Sequence, residues 1–299
     1  MFSRVTVIVN ASAGADDKQG LAQSIEGPLR KAGIKGHVVL AQSGANVREA
    51  ALQAMQTHPD AIIAGGGDGT INAVATTLIG TDIALGVLPL GTLNHFAKDM
   101  RIPLDLEHAL RNVIAGHTVA VDVGEVNGRY FLNNSSIGIY PRVVRDREQQ
   151  RRAGRGKWIA FAGAVLSALR RHSFLRVLLA ANSQERIHRT PFVFVGNNEY
   201  QMEGFNLGTR GCLNAGQLSV YTVKRERRWA LLRLALRALF ARLRQSKDFD
   251  FFCASEVRIE SGHRHVQVAI DGEVMRMDTP LHYRVRPAAL RVIVPESLA

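Results

Sequence analysis

The stretch AIIAGGGDGTINAVATTLIG, Ala61–Gly80, decides the fold. An apolar run breaks into three glycines, an aspartate, a glycine and a threonine, and then resumes with helical spacing. Asp60 to Ala64 reads as a buried strand, Gly65 to Gly69 as a turn able to take positive φ, and Thr70 as the N-cap of a helix beginning at Ile71. Glycines without Cβ let a di- or triphosphate approach the backbone, and the helix N-terminus adds about half a positive charge beside it. No Lys-Ser/Thr follows the loop, and GGGDGT does not fit G-x-G-x-x-G, so neither the P-loop nor that dinucleotide fingerprint is supported. Asp68 is the odd residue, because a carboxylate in an anion-binding turn repels phosphate unless it holds a metal ion or addresses a substrate hydroxyl. Its structural alternative is a helix cap or an Asx-turn.

Working outward, the first 120 residues or so alternate apolar strands with helical patterns: Val5 to Val9, a helix after Asp16, His37 to Leu40, a helix from Asn46 to Gln56, then Ala61 to Ala64, the Ile71 helix and Ala84 to Leu88. Such βαβ alternation predicts a parallel sheet with helices on both faces. Small-residue loops follow three strands: NASAG (Asn10 to Gly14), GGGDGT, and PLGTLNHF (Pro89 to Phe96). Loops at the C-terminal ends of parallel strands converge on one crevice, where such sheets bind ligands. From Thr118 onward the pattern changes to short alternating runs that read as antiparallel strands. LRVIVP, Leu290 to Pro295, is able to return to either domain. The division expected is 1–122 for an α/β domain, joined by a strand at about 288–299, and 123–287 for a β-rich domain.

The 299 residues, 46% of them apolar, suffice for two cores. Cys212 and Cys253 form no disulfide framework or metal spacing, and RVTVIVN enters a strand directly, so a cytoplasmic protein is expected. The net charge of +12 is concentrated, since ten Lys/Arg lie between Arg142 and Arg176 against Asp146 and Glu148. Trp158 to Leu169 within that stretch is apolar but shorter than the roughly 20 residues that span a bilayer. Arg227 to Gln245 forms a second basic amphipathic pattern. Both segments suit anionic headgroups, or else pack as ordinary helices with solvated arginines. No stacking run or nucleic-acid motif accompanies the charge, and no nucleic-acid partner is expected.

A second chemical site lies in VQVAIDGEVMRM, where Asp271 and Glu273 flank Gly272. Two acids so spaced suit metal coordination or a general base beside a metal ligand, while a plain Asp-Gly hairpin is the structural alternative. A phosphate loop plus a carboxylate pair supplies what phosphoryl transfer requires. His263 and His265 read as exposed hairpin residues, and His95 sits in the third loop.

NASAG, GGGDGTINAV, PLGTLNHFAKD, VDVGEVNGRYFLNNSSIGI, FVGNNEY, and DGE followed by RVRPAALRVIVP resemble, in order and over nearly the whole chain, the diacylglycerol kinase catalytic-domain family. That family also contains sphingosine and ceramide kinases and bacterial soluble lipid kinases. The resemblance implies a three-layer α/β nucleotide-binding domain like those of NAD kinases and phosphofructokinases, a β-sandwich-like second domain carrying a lipid pocket, and MgATP-dependent transfer to a lipid hydroxyl. It places Asn10, Ser12 and Gly14 in the first nucleotide loop, Gly66, Gly67, Asp68, Gly69 and Thr70 in the second, and Gly91, Thr92 and Asn94 in the third. Asp271 and Glu273 match the acidic pair at the reaction centre. Asp271 is favoured as base, with Glu273 and Asp68 organising Mg²⁺; Asp68 as base stays open.

The chain departs from the pattern at Ala11, His95, Ala215, Tyr140 and Pro141. Ala215 stands where many bacterial members carry an acid, which implies that a structural metal site there is lost. The function expected is an ATP-dependent kinase of a diacylglycerol, ceramide or sphingoid hydroxyl, peripheral to an anionic membrane surface, with a homodimer as an allowed assembly. A kinase of a soluble substrate, NAD kinase-like with Asn198 and Glu199 imitating its Asn-Glu pair, and a non-catalytic nucleotide- or nucleic-acid-binding module are the alternatives.

Overall fold

In the computed structural model, the described residues are 2–11, 18–138, 175–181, 184–203, 206–210, 214–223 and 249–299. Ser12, Gly14, Tyr140, Pro141, Cys212, the apolar insert Trp158 to Leu169 and the basic segment Arg227 to Gln245 lie outside them. The chain divides into two compact units, Met1–Val123 with Pro287–Ala299, and Gly124–Arg286.

The first unit begins with β1 (Arg4–Asn10), α1 (Lys18–Lys31), β2 (Lys35–Ala41), α2 (Gly44–Met55), β3 (Ala61–Gly66), α3 (Asp68–Leu78) and β4 (Ala84–Pro89). These strands pair in parallel in the order β2-β1-β3-β4, with Val7 in register with both Val38 and Ile63. Parallel strands covered on both faces must be apolar throughout, and β3 and β4 are buried at every residue. The order reverses at β1, so α1 and α2 leave in opposite directions along the sheet and a crevice opens at the C-terminal ends of β1 and β3. Caps set the helix boundaries: Ser43 Oγ accepts from Asn46 N–H at 3.3 Å to start α2.

Two helices that the sequence reading passed over follow β4, namely α4 (His95–Asp99) and α5 (Leu106–Ala115). Asp105 caps α5 by accepting from His108 N–H at 2.9 Å, and Gly116, at φ 73°, ends it in a left-handed conformation. β5 (Thr118–Val126) continues into the second unit.

There β6 (Arg129–Phe131), β7 (Asn134–Gly138), β8 (Leu175–Ala181), β9 (Gln184–Thr190), β10 (Phe192–Asn197), β11 (Tyr200–Glu203), β12 (Asn206–Arg210) and β13 (Leu218–Val223) precede β14 (Phe249–Ala254) and β15 (Glu256–Ser261). β16 (His265–Ile270), β17 (Glu273–Asp278) and β18 (Leu281–Ile293) complete the unit. One antiparallel sheet runs β14-β13-β10-β7-β16-β17; in the other, the start of β18 pairs with β15, followed by β8 and β9. Ile137, Val195, Val220 and Val268 from the first sheet share a core with Val177, Ile259 and Tyr283 from the second. The second unit is therefore the antiparallel β-sandwich that the resemblance implied, and the first is an α/β unit with a parallel sheet.

LHYRVRP and LRVIVP, read as two runs, form the single strand β18. Its last residues belong to the first unit, where Val292 is in parallel register with Leu85.

Candidate active site

The loops after β3 and β4 meet at the C-terminal ends of these strands, with Asn10 at the end of β1. Gly67, not Thr70, is the N-cap of α3, and the helix starts at Asp68 instead of Ile71. None of Gly65 to Gly69 has positive φ; Gly67 is extended at φ −87°, ψ −176°. These glycines serve close approach instead. A Cβ on Gly66 would sit 2.4 Å from Thr70 Oγ1, and one on Gly91 would sit 2.3 Å from Gly67 Cα. The second and third loops thus touch backbone to backbone, a contact that a side chain at Gly91 would break.

Asn10 and Thr70 join the first loop to the helix, since Asn10 Nδ2 donates to Thr70 Oγ1 at 3.1 Å. Thr70 and Ile71 amides both bond to Gly67 O, which leaves the amides of Asp68 and Gly69 without intrahelical partners at the positive end of α3. Asn94 shapes the third loop. It adopts the left-handed conformation at φ 51°, which asparagine tolerates, and its Nδ2 donates to Pro89 O at 3.2 Å and Gly91 O at 2.9 Å. Its Oδ1 is buried with no hydrogen-bond partner among the described residues. Such an acceptor is costly unless a ligand donor reaches it. Thr92 and His95 are exposed beside it.

Asp68 bridges two loops. Its Oδ1 accepts from Phe96 N–H, in the first turn of α4, at 3.1 Å. No hydrogen bond or ion pair among the described residues reaches Oδ2. One oxygen is therefore structural and the other is available to chemistry.

Asp271 and Glu273 belong to the second unit. Asp271 (φ 45°) and Gly272 (φ 89°) form the two-residue turn between β16 and β17, the left-handed pair that an Asp-Gly hairpin demands. The Asp271 carboxylate accepts three amides, with Oδ2 bonded to Leu132 N–H at 2.7 Å and Oδ1 to Asn133 and Asn134 N–H at 2.9 Å each. Its own N–H donates to Asn134 O at 2.9 Å. The Asp-Gly hairpin is therefore present, and the turn that connects β6 to β7 hangs from its aspartate. Sequence reasoning missed these partners; the run Leu132-Asn133-Asn134 after Phe131 was their only trace. Glu273 is exposed at the first position of β17.

Asn198 and Glu199 differ in their surroundings. Asn198 is buried at φ 66°, with Oδ1 accepting from Ala215 N–H at 3.1 Å and its carbonyl accepting from Ser219 Oγ at 2.7 Å, while Glu199 is exposed. No group of three or more His, Cys, Asp or Glu among the described residues is arranged to hold a metal ion. His265 Nδ1 meets Asp278 Oδ1 across its hairpin.

A cavity of about 830 Å³ in the second unit, bounded by Glu125, Glu185, Glu256, Arg258, His282 and Arg284 among others, contains none of the site residues read from the sequence. Beneath it, Arg284 and Arg286 each donate to the Glu125 carboxylate at 2.6 Å. Burial alone would raise the Glu125 pKa, but the two arginine hydrogen bonds and charges overcome that and bring it below the ordinary glutamate value.

An α/β unit with close-packed glycine loops at its switch point, followed by an antiparallel sandwich, is the arrangement that the comparisons with known proteins match. The diacylglycerol kinase catalytic domain model matches residues 4–126, and the YegS C-terminal NAD kinase beta sandwich-like domain model matches residues 135–294. The chain belongs to the diacylglycerol kinase catalytic-domain family, and it is an enzyme, a kinase. It is 30% identical over 307 residues to a Citrobacter koseri protein named "Probable lipid kinase YegS-like", covering 98% of this chain and 97% of that one. A Pectobacterium atrosepticum protein of the same name is 32% identical over 222 residues, 72% of each chain. A crystal structure of a Bacillus anthracis diacylglycerol kinase superposes with a TM-score of 0.73 at 22% identity, covering 100% of this chain and 99% of that one, a likeness of fold.

Proposed function

We propose that this kinase transfers the γ-phosphate of ATP to a hydroxyl of a diacylglycerol, ceramide or sphingoid-type lipid, as a cytoplasmic protein peripheral to an anionic membrane. The names of its relatives support a lipid acceptor. The observation that carries the nucleotide half is the contact of Gly67 with Gly91, which brings the second and third loops together beside the Asp68 and Gly69 amides that have no intrahelical partner.

In this reading Asn10, Gly66, Gly67, Gly69 and Thr70 hold the phosphates through backbone and hydroxyl groups. Ser12 and Gly14 are assigned to the same loop on the resemblance. Gly91 and Thr92 supply the facing loop, and Asn94 Oδ1 accepts a donor from the nucleotide. The lipid oxygen attacks the γ-phosphorus, the bond to the β-phosphate oxygen breaks, ADP leaves, and the hydroxyl proton passes to a carboxylate. Asp68 is the better proton acceptor, with Oδ2 available, because three amides already stabilise the charged form of Asp271. Asp271 is then a positioning residue for the Leu132 to Asn134 turn. Mg²⁺ bound with ATP would neutralise charge on the phosphates, and the carboxylates of a type that would hold it are Glu273 and, where Asp68 is not the base, Asp68.

The test is transfer from γ-labelled ATP to a panel of extracted lipids by wild type and Asp68→Asn, whose Oδ1 still accepts from Phe96. The expected outcome is labelled lipid with wild type and kcat lowered by about 10²–10⁴ in the variant. No labelled lipid from wild type rejects the proposal. A variant that regains wild-type kcat at roughly tenfold higher Mg²⁺ makes Asp68 a metal ligand instead of the base.

A further inference from the structure

The motif FVGNNEY supplies a second arm to the turn that Asp271 holds. Val193 and Val195 of β10 point into the sandwich core, so alternation puts Asn197 at the next inward position, where it is buried. An apolar residue there would pack as its neighbours do, whereas a buried amide is costly unless its hydrogen bonds are made. Asn197 directs them to the turn between β6 and β7: its Nδ2 donates to Leu132 O at 3.0 Å and its backbone N–H to Asn133 O at 2.9 Å. The next residue is pinned as well. Asn198 is left-handed at φ 66°, its N–H donates to Gln217 O at 3.0 Å and its carbonyl accepts from Ser219 Oγ at 2.7 Å, so the end of β10 is held from behind.

Together with Asp271 the grip is complete. The Asp271 carboxylate accepts from the N–H groups of Leu132, Asn133 and Asn134, and its own N–H donates to Asn134 O. All six backbone polar groups of this tripeptide therefore have a partner on one of two residues, Asn197 or Asp271. The two bonds from backbone amides extend the ladders that β7 makes with β10 and β16. The other four come from side chains, placed where the ladders end. Such a grip fixes the connection more closely than strand pairing requires, and preorganisation of this kind is what a reacting geometry needs from its supports. A polar side chain at a core position is also where the pattern of a strand gives way to another demand.

We propose that Asn197 is a positioning residue of the phosphoryl transfer, acting with Asp271 through the Leu132 to Asn134 turn. The inference rests on the lipid-kinase reading, in which Asp271 serves the reaction by holding that turn. Transfer from γ-labelled ATP to diacylglycerol in detergent micelles is followed for wild type, Asn197→Ala, Asp271→Asn, the double variant and, as a control in the same core, Val177→Ala on the opposite sheet. Each is assayed below the melting temperature that circular dichroism gives it. Asn197→Ala loses the bond to Leu132 O and keeps the backbone bond to Asn133 O. Its kcat is expected to fall about 10–10²-fold, with KM for ATP within about twofold of wild type because the nucleotide contacts lie in the first unit. The double variant is expected to fall no more than about twofold below the lower single variant, since either loss frees the same turn. Val177→Ala is expected to melt lower yet keep kcat within about twofold of wild type. Where Asn197→Ala does not fold, Asn197→Ser takes its place under the same criteria. Wild-type kcat in the Asn197 variant, a rise in KM for ATP in place of a fall in kcat, losses that multiply in the double variant, or an equal loss of kcat in Val177→Ala overturns the proposal. No labelled lipid from wild type defeats the lipid-kinase reading and this proposal with it, whereas labelled lipid from wild type with an unaffected Asn197 variant defeats the proposal alone.

Discussion

Alanine at Gly91 and alanine at Gly67 look equivalent in sequence, yet the fold separates them. At Gly91 the added Cβ would lie 2.3 Å from Gly67 Cα, 2.8 Å from Asn94 Oδ1 and 3.1 Å from Gly67 N, about 1 Å inside ordinary contact with backbone that cannot rotate away. At Gly67 the nearest atom is Gly91 Cα at 3.4 Å, an ordinary contact. Neither position has positive φ, so backbone strain does not enter. Overpacking of this kind costs about 1–3 kcal/mol, partly offset by the roughly 0.4–1 kcal/mol that alanine gains over glycine by restricting the unfolded chain. Gly67→Ala should instead stay within about 1 kcal/mol of wild type, the residue being an N-cap where alanine is only modestly worse than glycine. The functional gap is wider, because prising the loops apart by about 1 Å misaims the amides, and a misplacement of that size can cost roughly 10²-fold. Calorimetric titration with ATP and thermal unfolding of both variants check this. A Gly91→Ala protein that binds ATP as wild type does, or a Gly67→Ala protein that loses more, would refute the loop-to-loop contact as the basis of the cradle.

Two further outcomes follow from the carboxylates of the second unit. Asp271→Asn keeps the left-handed turn, but an amide nitrogen then faces the Leu132 N–H, so unfolding free energy should drop by about 1–3 kcal/mol; an unchanged denaturation midpoint would remove the three-amide anchor. Glu125→Gln sets a neutral amide against Arg284 and Arg286 and should cost about 1–3 kcal/mol at neutral pH. Because the Glu125 pKa is lowered on folding, its contribution is present above the ordinary value of 4.5 and fades as pH falls below it toward the folded value. The gap between wild type and variant should therefore close in acid, and a gap independent of pH would count against the ion pairs.

Much of the first unit was legible because its code is local. Hydrophobic runs of five or six residues ending in small-residue loops specify parallel strands and the crevice at their ends, and β3 and β4 fall where Ala61 to Ala64 and Ala84 to Leu88 announced them. The helix start was misread by three residues for a physical reason. Thr70 has the chemistry of an N-cap, but its hydroxyl is claimed by Asn10, sixty residues away, and Gly67 caps without a side chain. Positive φ, expected for the glycines of the second loop, is absent from all of them, and what they provide is proximity to Gly91 and Thr70, which depends in part on a loop more than twenty residues downstream.

The same non-local logic explains why carboxylates resist assignment from sequence. Asp68, Asp122, Glu125 and Asp271 all stand in short polar breaks between apolar runs, and each accepts from a partner at least 28 positions away: Phe96, Ala288, Arg284 with Arg286, and Leu132 to Asn134. A carboxylate that must hold distant backbone together cannot also be a strong proton acceptor, since every donor it satisfies stabilises its charged form. In the proposed function this difference favours Asp68 as base: Asp271 accepts from three amides, whereas Asp68 accepts from one, on Oδ1.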